Sequence, residues 1–528
     1  MAYPARQHVL NVFKQLVKLL PAGEQAKPQI ILLAGEKTPF RNDTDREMLF
    51  RQESNFFYLS GCNVPSSHLL LFFQAGTSLS EAPASHLFIP EPHPEDIMWS
   101  PPPPSLAEAS RGHDVTTVKH TKSLSEEIEL VLQAFPDGLF HTLPRSSPLF
   151  PALSDDYTAS VLSAGAAVTD LYLLPALHRA RLIKDAAEIA LIRHATDISS
   201  RAHETVMRVL GQAVKGRIER GAGAGVDRPL LPGEWLIEKE AEAEGIFVAS
   251  CRREGAVHQA YLPIVAASNR ASTLHYCCND REFAWGPVEP HDHREDFARE
   301  DRKLLPQVLL IDAGCEWSCY ASDLTRTMPV GNGGKFSPEA RSIYELVLAM
   351  QRRAMEMVKP GVHWDKVHLL CHKILVNGFL SLGIFKTGNA ETLLQTGLSN
   401  LFYPHGLGHS LGMDVHDVPS ASKPFVNTTI PQADIGHPSF YNNLRLRLPL
   451  EENMIITVEP GIYFHPHLLA PIYEMRSEFI DYDVLKKYEG MGGVRIEDVV
   501  RVTADGCENL TKVKSDTEWV EGVCSGDL

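Results

Sequence analysis

The residues best equipped for chemistry lie in the second half of this 528-residue chain. Asp312 ends the apolar run Val308-Leu309-Leu310-Ile311 and precedes Ala313-Gly314. Asp323 follows eleven positions later, in Ala321-Ser322-Asp323-Leu324-Thr325-Arg326-Thr327. A reversal of the chain near residues 316–318 would set the two aspartates across from one another, with Cβ atoms roughly 4.5–5.5 Å apart. Two metal ions about 3.5–4 Å apart need a carboxylate pair of that kind. Alone, an aspartate at a strand end is more often a turn former.

The histidines shift the balance. His405-Gly406-Leu407-Gly408-His409-Ser410-Leu411-Gly412-Met413-Asp414-Val415-His416-Asp417 sets three histidines among three glycines. A lone histidine in such a run reads as a satisfied loop or core residue. Three of them, with Asp414 and Asp417 beside them, favour a site, and glycine lets the backbone crowd a centre. In Met454-Ile455-Ile456-Thr457-Val458-Glu459-Pro460-Gly461 an apolar strand delivers one carboxylate, and Pro460 breaks the ladder after it. A carboxylate approached through apolar residues needs a metal, a cation or a proton. In Gly492-Gly493-Val494-Arg495-Ile496-Glu497-Asp498, strand alternation puts Arg495 and Glu497 on one face.

The elements that must position these groups follow from periodicity. Residues 30–33, 69–73 and 87–89 read as strands, while 123–135 and 160–172 read as helices, and this alternation implies an α/β unit at the start of the chain. A helix should begin near Ile183, because Leu191, Ala195, Ile198, Ala202, Val206 and Leu210 recur at helical steps. A second runs from Pro338 to about Val358, with Ser337 as N-cap and Pro338 in the first turn. Pro175 marks a junction, giving units 1–174 and 175–528. Residues 211–233, with Gly-Ala-Gly-Ala-Gly, and the charged segment 277–306 read as loop insertions.

Composition limits the function classes. The formal charge of −16 disfavours nucleic acid as the main partner. Nine cysteines without a CxxC pair read as reduced thiols of a reducing compartment, not a disulfide framework. Residues 1–20 carry no secretory apolar core, and the longest apolar runs are too short to span a bilayer. A cytoplasmic enzyme without membrane contact is the expectation.

Asp312, Asp323, His409, Glu459 and Glu497, in this order and in these settings, resemble the metal set of the pita-bread metallopeptidases. The Asp312-Ala313-Gly314, His405 to Asp417, Val458-Glu459-Pro460-Gly461 and Gly493 to Glu497 stretches are similar to the aminopeptidase P and prolidase branch. Phe50-Arg51-Gln52-Glu53-Ser54-Asn55-Phe56-Phe57-Tyr58-Leu59-Ser60-Gly61 resembles its N-terminal domain. The resemblance implies an N-terminal creatinase-like α/β domain and an α+β catalytic domain of two pseudo-symmetric halves. It implies two divalent metals, usually manganese. Asp323 and Glu497 would bridge them, Asp312 would complete one, and His409 and Glu459 the other. Glu459 would also take a proton from the attacking water, and His416 and His275 would stabilise the oxyanion. His405, Arg445 and Arg495 would contact substrate, with Arg447 an alternative to Arg445 on the same alternation.

The expected activity is hydrolysis of the bond between an N-terminal residue and proline, in peptides including dipeptides. The alternatives are a strict dipeptidase and, from another class, a non-catalytic binding protein on the same fold. The expected partners are peptides with proline at the second position, and members of this branch are commonly homodimers.

Overall fold

The structure, a computed structural model, describes residues 3–73, 82–163, 166–216, 234–284, 304–423 and 436–528. It divides into two units, Met1–Ile183 and Lys184–Leu528. The division lies beyond Pro175, which sits inside the helix Leu173–Leu182. The expected insertions 211–233 and 277–306 fall largely outside the described residues. The first six positions of the former belong to a helix and its C-terminal turn.

The first unit is built on a mixed six-stranded sheet. Its spatial order is Thr117–His120, Ala84–Ile89, His68–Phe73, Gln29–Ala34, Leu139–His141 and Ala167–Thr169. The run expected at 30–33 is the strand Gln29–Ala34, antiparallel to His68–Phe73 and parallel to Leu139–His141. Every residue of it is buried, as a central strand covered on both faces requires. Ile30, Leu32, Leu70, Phe88 and Phe140 meet Leu124, Ile128 and Val131 of the helix Leu124–Ala134 in one core. The helix Ala5–Leu19 buries Val9, Val12, Phe13 and Leu16, and Phe13 meets Phe73 with ring centroids 6.0 Å apart.

One expectation in this unit is corrected. Residues 160–172 are not a single helix; a helix spans Asp155–Ser163 and a strand Ala167–Thr169 follows. The short apolar pattern fits either period, and parallel pairing with Leu139–His141 decides it.

The second unit combines two helix pairs with small antiparallel sheets. The helix Ala186–Val214 starts at Asp185, whose side chain accepts from the N–H groups of Ala187 and Glu188 in a capping box. It packs against Glu240–Arg253. The helix Pro338–Met357, capped by Ser337, packs against Trp364–Leu382. One sheet orders Thr325–Val330, Gln307–Asp312 and Ile264–Ala267; another orders Ile455–Val458, Asp498–Val502 and Cys507–Asn509. Thr325 and Glu497 form an antiparallel bridge, and that bridge brings the aspartate strands to the glutamate strands.

Candidate metal centre

The aspartates arrive on a hairpin. The strand Gln307–Asp312 leads through Cys315–Trp317 to a reversal at Ser318 and Cys319, both in the left-handed region, and returns as Tyr320–Ala321 and Thr325–Val330. The reversal lies where the sequence places it. The register differs: Asp312 pairs with Thr325, so Asp323 is not its cross-strand partner. Gly314 and Ser322 separate the two aspartates from the shorter inner ladder. The Tyr261 hydroxyl joins the aspartates instead, lying within hydrogen-bond distance of both Asp312 Oδ1 and Asp323 Oδ1.

His409 comes from the glycine-rich stretch, which runs alongside the strand Ile455–Val458. Thr457 N–H donates to His409 O at 3.0 Å, and Glu459 N–H donates to Leu407 O at 2.8 Å. Gly408 makes this approach feasible, because a Cβ there would stand 2.0 Å from Thr457 O. His409 Nε2 lies 3.3 Å from Asp323 Oδ2 and 3.4 Å from Glu459 Oε1. Asp323, His409 and Glu497 each offer a ligand atom, and these atoms lie within 4.8 Å of one another.

Two threonines hold the glutamates. The Thr457 hydroxyl accepts from His409 N–H at 3.1 Å and donates to Glu459 Oε1 at 3.2 Å. The Thr325 hydroxyl donates to Glu497 Oε2 at 2.7 Å and accepts from Arg495 Nε at 3.1 Å. Arg495 and Glu497 therefore share a face, as alternation predicts. Arg495 also donates to Asp312 Oδ2 at 2.6 Å and to the Tyr463 hydroxyl at 2.9 Å. Tyr261, Thr325, Thr457 and Tyr463 escaped the sequence reading. Thr457 carried a signal, standing two residues before Glu459 on the run that delivers it; Thr325 bonds a glutamate distant in sequence and carried none. Tyr261 carried none.

The electrostatics are those of an acidic centre short of positive charge. Burial, then the charges of Asp323, Glu459 and Asp312, push the Glu497 carboxyl well up. Burial and Asp312 raise Asp323, and burial with Asp323 pushes Glu459 up to about 7 against the pull of His409. Burial opposes a charge on His409, yet Asp323 and Glu459 raise it. Among the described residues, buried Glu497 Oε1 has no hydrogen-bond partner. An orphaned carboxylate oxygen amid four acidic groups and one imidazole fits hard divalent cations, which prefer oxygen-rich ligands.

The centre opens into a cavity of about 630 Å³. Asp312, His409, Glu459 and Arg495 contribute to its wall, with His275, His405, His416 and Arg445 around them. His405 Nε2 lies 2.8 Å from the Tyr463 hydroxyl, and burial drops its pKa to about 3. His416 stands edge-on to His409, with centroids 4.5 Å apart, and is likewise lowered to about 3 by burial and by His409. Both imidazoles are thus neutral. Of Arg445 and Arg447, Arg445 lines the cavity, whereas Arg447 pairs with Asp365 at 2.6 Å and lies 4.9 Å over the Tyr441 ring.

Residues 190–504 match metallopeptidase family M24, and residues 6–136 match the aminopeptidase P N-terminal domain. The protein named "Probable Xaa-Pro aminopeptidase" from Pyricularia oryzae is 36% identical over 99% of this chain and 97% of its own. Its namesake from Botryotinia fuckeliana is 34% identical over 99% and 96%. Among solved structures, proline aminopeptidase P II from Yersinia pestis superposes with a TM-score of 0.69 at 27% identity, covering 99% of this chain and all of that one (100%). A zinc-substituted Escherichia coli aminopeptidase P in complex with product has a TM-score of 0.69 at 26% identity, with 98% of each chain covered. With the N-terminal domain, the catalytic-domain match and full-length relatives all in agreement, this chain belongs to metallopeptidase family M24, on its aminopeptidase P branch.

Proposed function

We propose that the protein hydrolyses the peptide bond between an N-terminal residue and a following proline, in longer peptides and in dipeptides. The observation that carries this reading is the clustering of Asp323, His409 and Glu497 in one buried centre, with Glu459 beside His409 and Asp312 joined to Asp323 through Tyr261, behind a cavity lined by Asp312, His409, Glu459, His275, His405 and His416. These five are the residues that would hold two divalent cations. Carboxylate-rich ligands suit manganese. Nine free thiols suit a reducing, cytoplasmic setting. No helix among the described residues is long and apolar enough to cross a membrane.

Bound cations supply Lewis acidity and make water a usable nucleophile near neutral pH. The remaining chemistry belongs to the chain. Glu459 Oε1 is occupied by the Thr457 hydroxyl, which leaves Oε2 to accept the proton of the attacking water. His416 and His275, on the cavity wall, donate hydrogen bonds to the carbonyl oxygen as negative charge develops on it. Arg495 is 3% exposed, and its donors go to Asp312, Tyr463 and Thr325. It acts on substrate through those groups. The amide before proline is tertiary and offers no N–H, so recognition must come from a pocket shaped for the ring. Arg445, exposed at the mouth, supplies a cation for a product-side carboxylate and keeps dipeptides among the substrates.

The test is to load the purified chain with Mn²⁺ and offer Xaa-Pro dipeptides and Xaa-Pro-Yaa tripeptides. Release of the N-terminal residue from both is expected. A folded, metal-loaded protein that cleaves neither overturns the reading; cleavage of dipeptides alone makes it a strict dipeptidase.

A further inference from the structure

We infer that the ion pair between Lys184 and Asp417 is a positioning device for His416, an inference that rests on the hydrolytic reading above. The pair lies at 3.0 Å, with each side chain 1% exposed. Two ions this dry are a poor way to stabilise a fold, because desolvation cancels much of their attraction and packed apolar side chains do as well or better. What the pair does provide is a fixed geometry, and its acidic member is the residue next to His416.

Both ends are anchored. Lys184 directly precedes the N-cap of the helix Ala186–Val214, the longest helix among the described residues, and its N–H donates to Asn453 O at 3.0 Å, beside the strand that carries Glu459. Asp417 N–H donates to Ser410 O at 2.9 Å, closing the loop that contains His416. Gly412 O in the same loop accepts from Ala321 N–H at 2.8 Å, on the aspartate hairpin. The loop is shaped around the pair: a Cβ on Gly412 would stand 2.2 Å from Asp417 Oδ2 and 3.1 Å from Lys184 Cε. Val418, directly after Asp417, is held at φ 44° and ψ 55°, a conformation β-branched residues avoid. Such strain persists only where the surroundings impose it. Val418 O accepts from Ala421 N–H at 3.0 Å and from Ser422 N–H at 2.9 Å, and the ion pair and the Ser410–Ser422 hydroxyl contact at 2.7 Å flank it. Lys184 and Asp417 therefore act through His416, setting where its ring meets the substrate carbonyl.

The experiment compares wild type with Lys184→Met/Asp417→Asn, which removes both charges, and with Asp417→Asn alone, which keeps the shape and one acceptor oxygen. Three quantities are read in the full chain: amide hydrogen exchange across residues 411–418, bound metal, and kcat against KM on an Xaa-Pro peptide. Faster exchange confined to that loop is expected, with unchanged metal content. kcat should fall roughly ten- to hundred-fold while KM moves less than about three-fold, since small misplacements of a catalytic group cost that much. A folded variant with wild-type exchange and wild-type kcat overturns the inference. If the double variant does not fold, Asp417→Asn decides by the same readouts. An inactive wild type defeats the hydrolytic reading instead, and loop exchange still decides whether the pair positions the loop.

Discussion

Thr325 and Glu497 are joined twice: Glu497 N–H donates to Thr325 O at 3.1 Å, and the Thr325 hydroxyl donates to Glu497 Oε2 at 2.7 Å. The first bond fixes the backbone that carries the glutamate, and the second fixes its carboxylate. One oxygen is thereby committed, and Oε1 is left buried with no partner among the described residues. A glutamate held in this way is oriented before any cation arrives. Thr325→Val keeps the shape and deletes the hydroxyl. Hydrogen-bonded supports of metal ligands are typically worth 10–100-fold in affinity or activity. Thr325→Val should therefore weaken metal binding by about that factor, measured by titration of the apo protein, with a melting temperature near wild type. Unchanged metal affinity would show that the hydroxyl only satisfies Glu497.

Glu459 should separate binding from turnover. It sits at the end of a buried strand and its Oε2 faces His405 at 3.9 Å. Glu459→Gln preserves the volume and the bond from Thr457 but removes the proton acceptor. General-base removal typically costs 10²–10⁴-fold, so kcat should drop by about that much while the circular dichroism spectrum is unchanged. Comparable activity in wild type and variant would remove Glu459 from the proton-transfer role.

The chelation experiment follows from charge crowding. Asp323, Glu459 and Glu497 are all raised by burial and by a neighbouring carboxylate, Asp312 for the first and Asp323 for the other two, with Arg495 and His409 beside them. Removing divalent cations should lower the thermal stability of the second unit, and restoring Mn²⁺ should raise it. Ligand linkage sets the scale at about 2.7 kcal/mol when free metal is a hundred times its Kd. Differential scanning calorimetry with and without chelator checks this; a melting curve indifferent to metal would contradict the two-cation reading.

Buried guanidinium chemistry supports the same junction from behind. Arg326 is 1% exposed and donates to Thr325 O, Glu497 O and Val513 O, and to Asp498 Oδ1 at 2.6 Å. Its Nε also donates to Lys514 O at 3.3 Å, so Arg326→Leu leaves the Asp498 carboxylate without its cation and four carbonyls without that donor. Breaking a buried pair from one side costs about 3–5 kcal/mol. Urea unfolding of the full chain should record a loss of that size, larger than the loss for Thr325→Val. A loss under about 1 kcal/mol would mean that water replaces the guanidinium.

Much of the centre was legible because each ligand sits where a periodic pattern breaks. Asp312 and Glu459 end apolar strands, and the His405 to Asp417 stretch is punctuated by glycine. These are local signals, and the structure draws their bearers together. The missing information was register. Alternation alone could not show that Asp312 pairs with Thr325 and that Asp323 is reached through Tyr261, since cross-strand pairing depends on where the inner ladder closes. Arg445 and Arg447 likewise share one alternation, and Asp365, distant in sequence, claims one of them. The strand at Ala167–Thr169 was hidden for the same reason: three residues carry no period, and their neighbour in the sheet decides their form.

The first unit should carry its own acid sensitivity, seated at His141. Gln29 Nε2 donates to Glu24 O and Lys27 O, both at 2.8 Å, which fixes Gln29 Oε1 as the acceptor facing His141 Nε2 at 2.7 Å. The Nε2 atom therefore bears the proton, and Nδ1 is buried without a partner among the described residues. Burial depresses the pKa from 6.5 to about 4. Above 6.5 both folded and unfolded chains hold a neutral ring, and the group adds no pH dependence. Between 6.5 and about 4 the unfolded chain binds a proton that the folded chain refuses, so stability is lost as pH falls, at about 1.4 kcal/mol per pH unit. His68, lowered to about 4 by burial and by the Lys37 charge, contributes with the same sign. Replacing His141 by Gln keeps a donor toward Gln29 and removes the titration. The stability gap between wild type and His141→Gln, followed by hydrogen exchange in the strand Leu139–His141 of the full chain, should shift in the variant's favour as pH drops from about 7 to about 5. A gap that stays constant over that range would mean that the folded protein accepts the proton on Nδ1, and that the strand has room for a charge the packing of the sheet denies it.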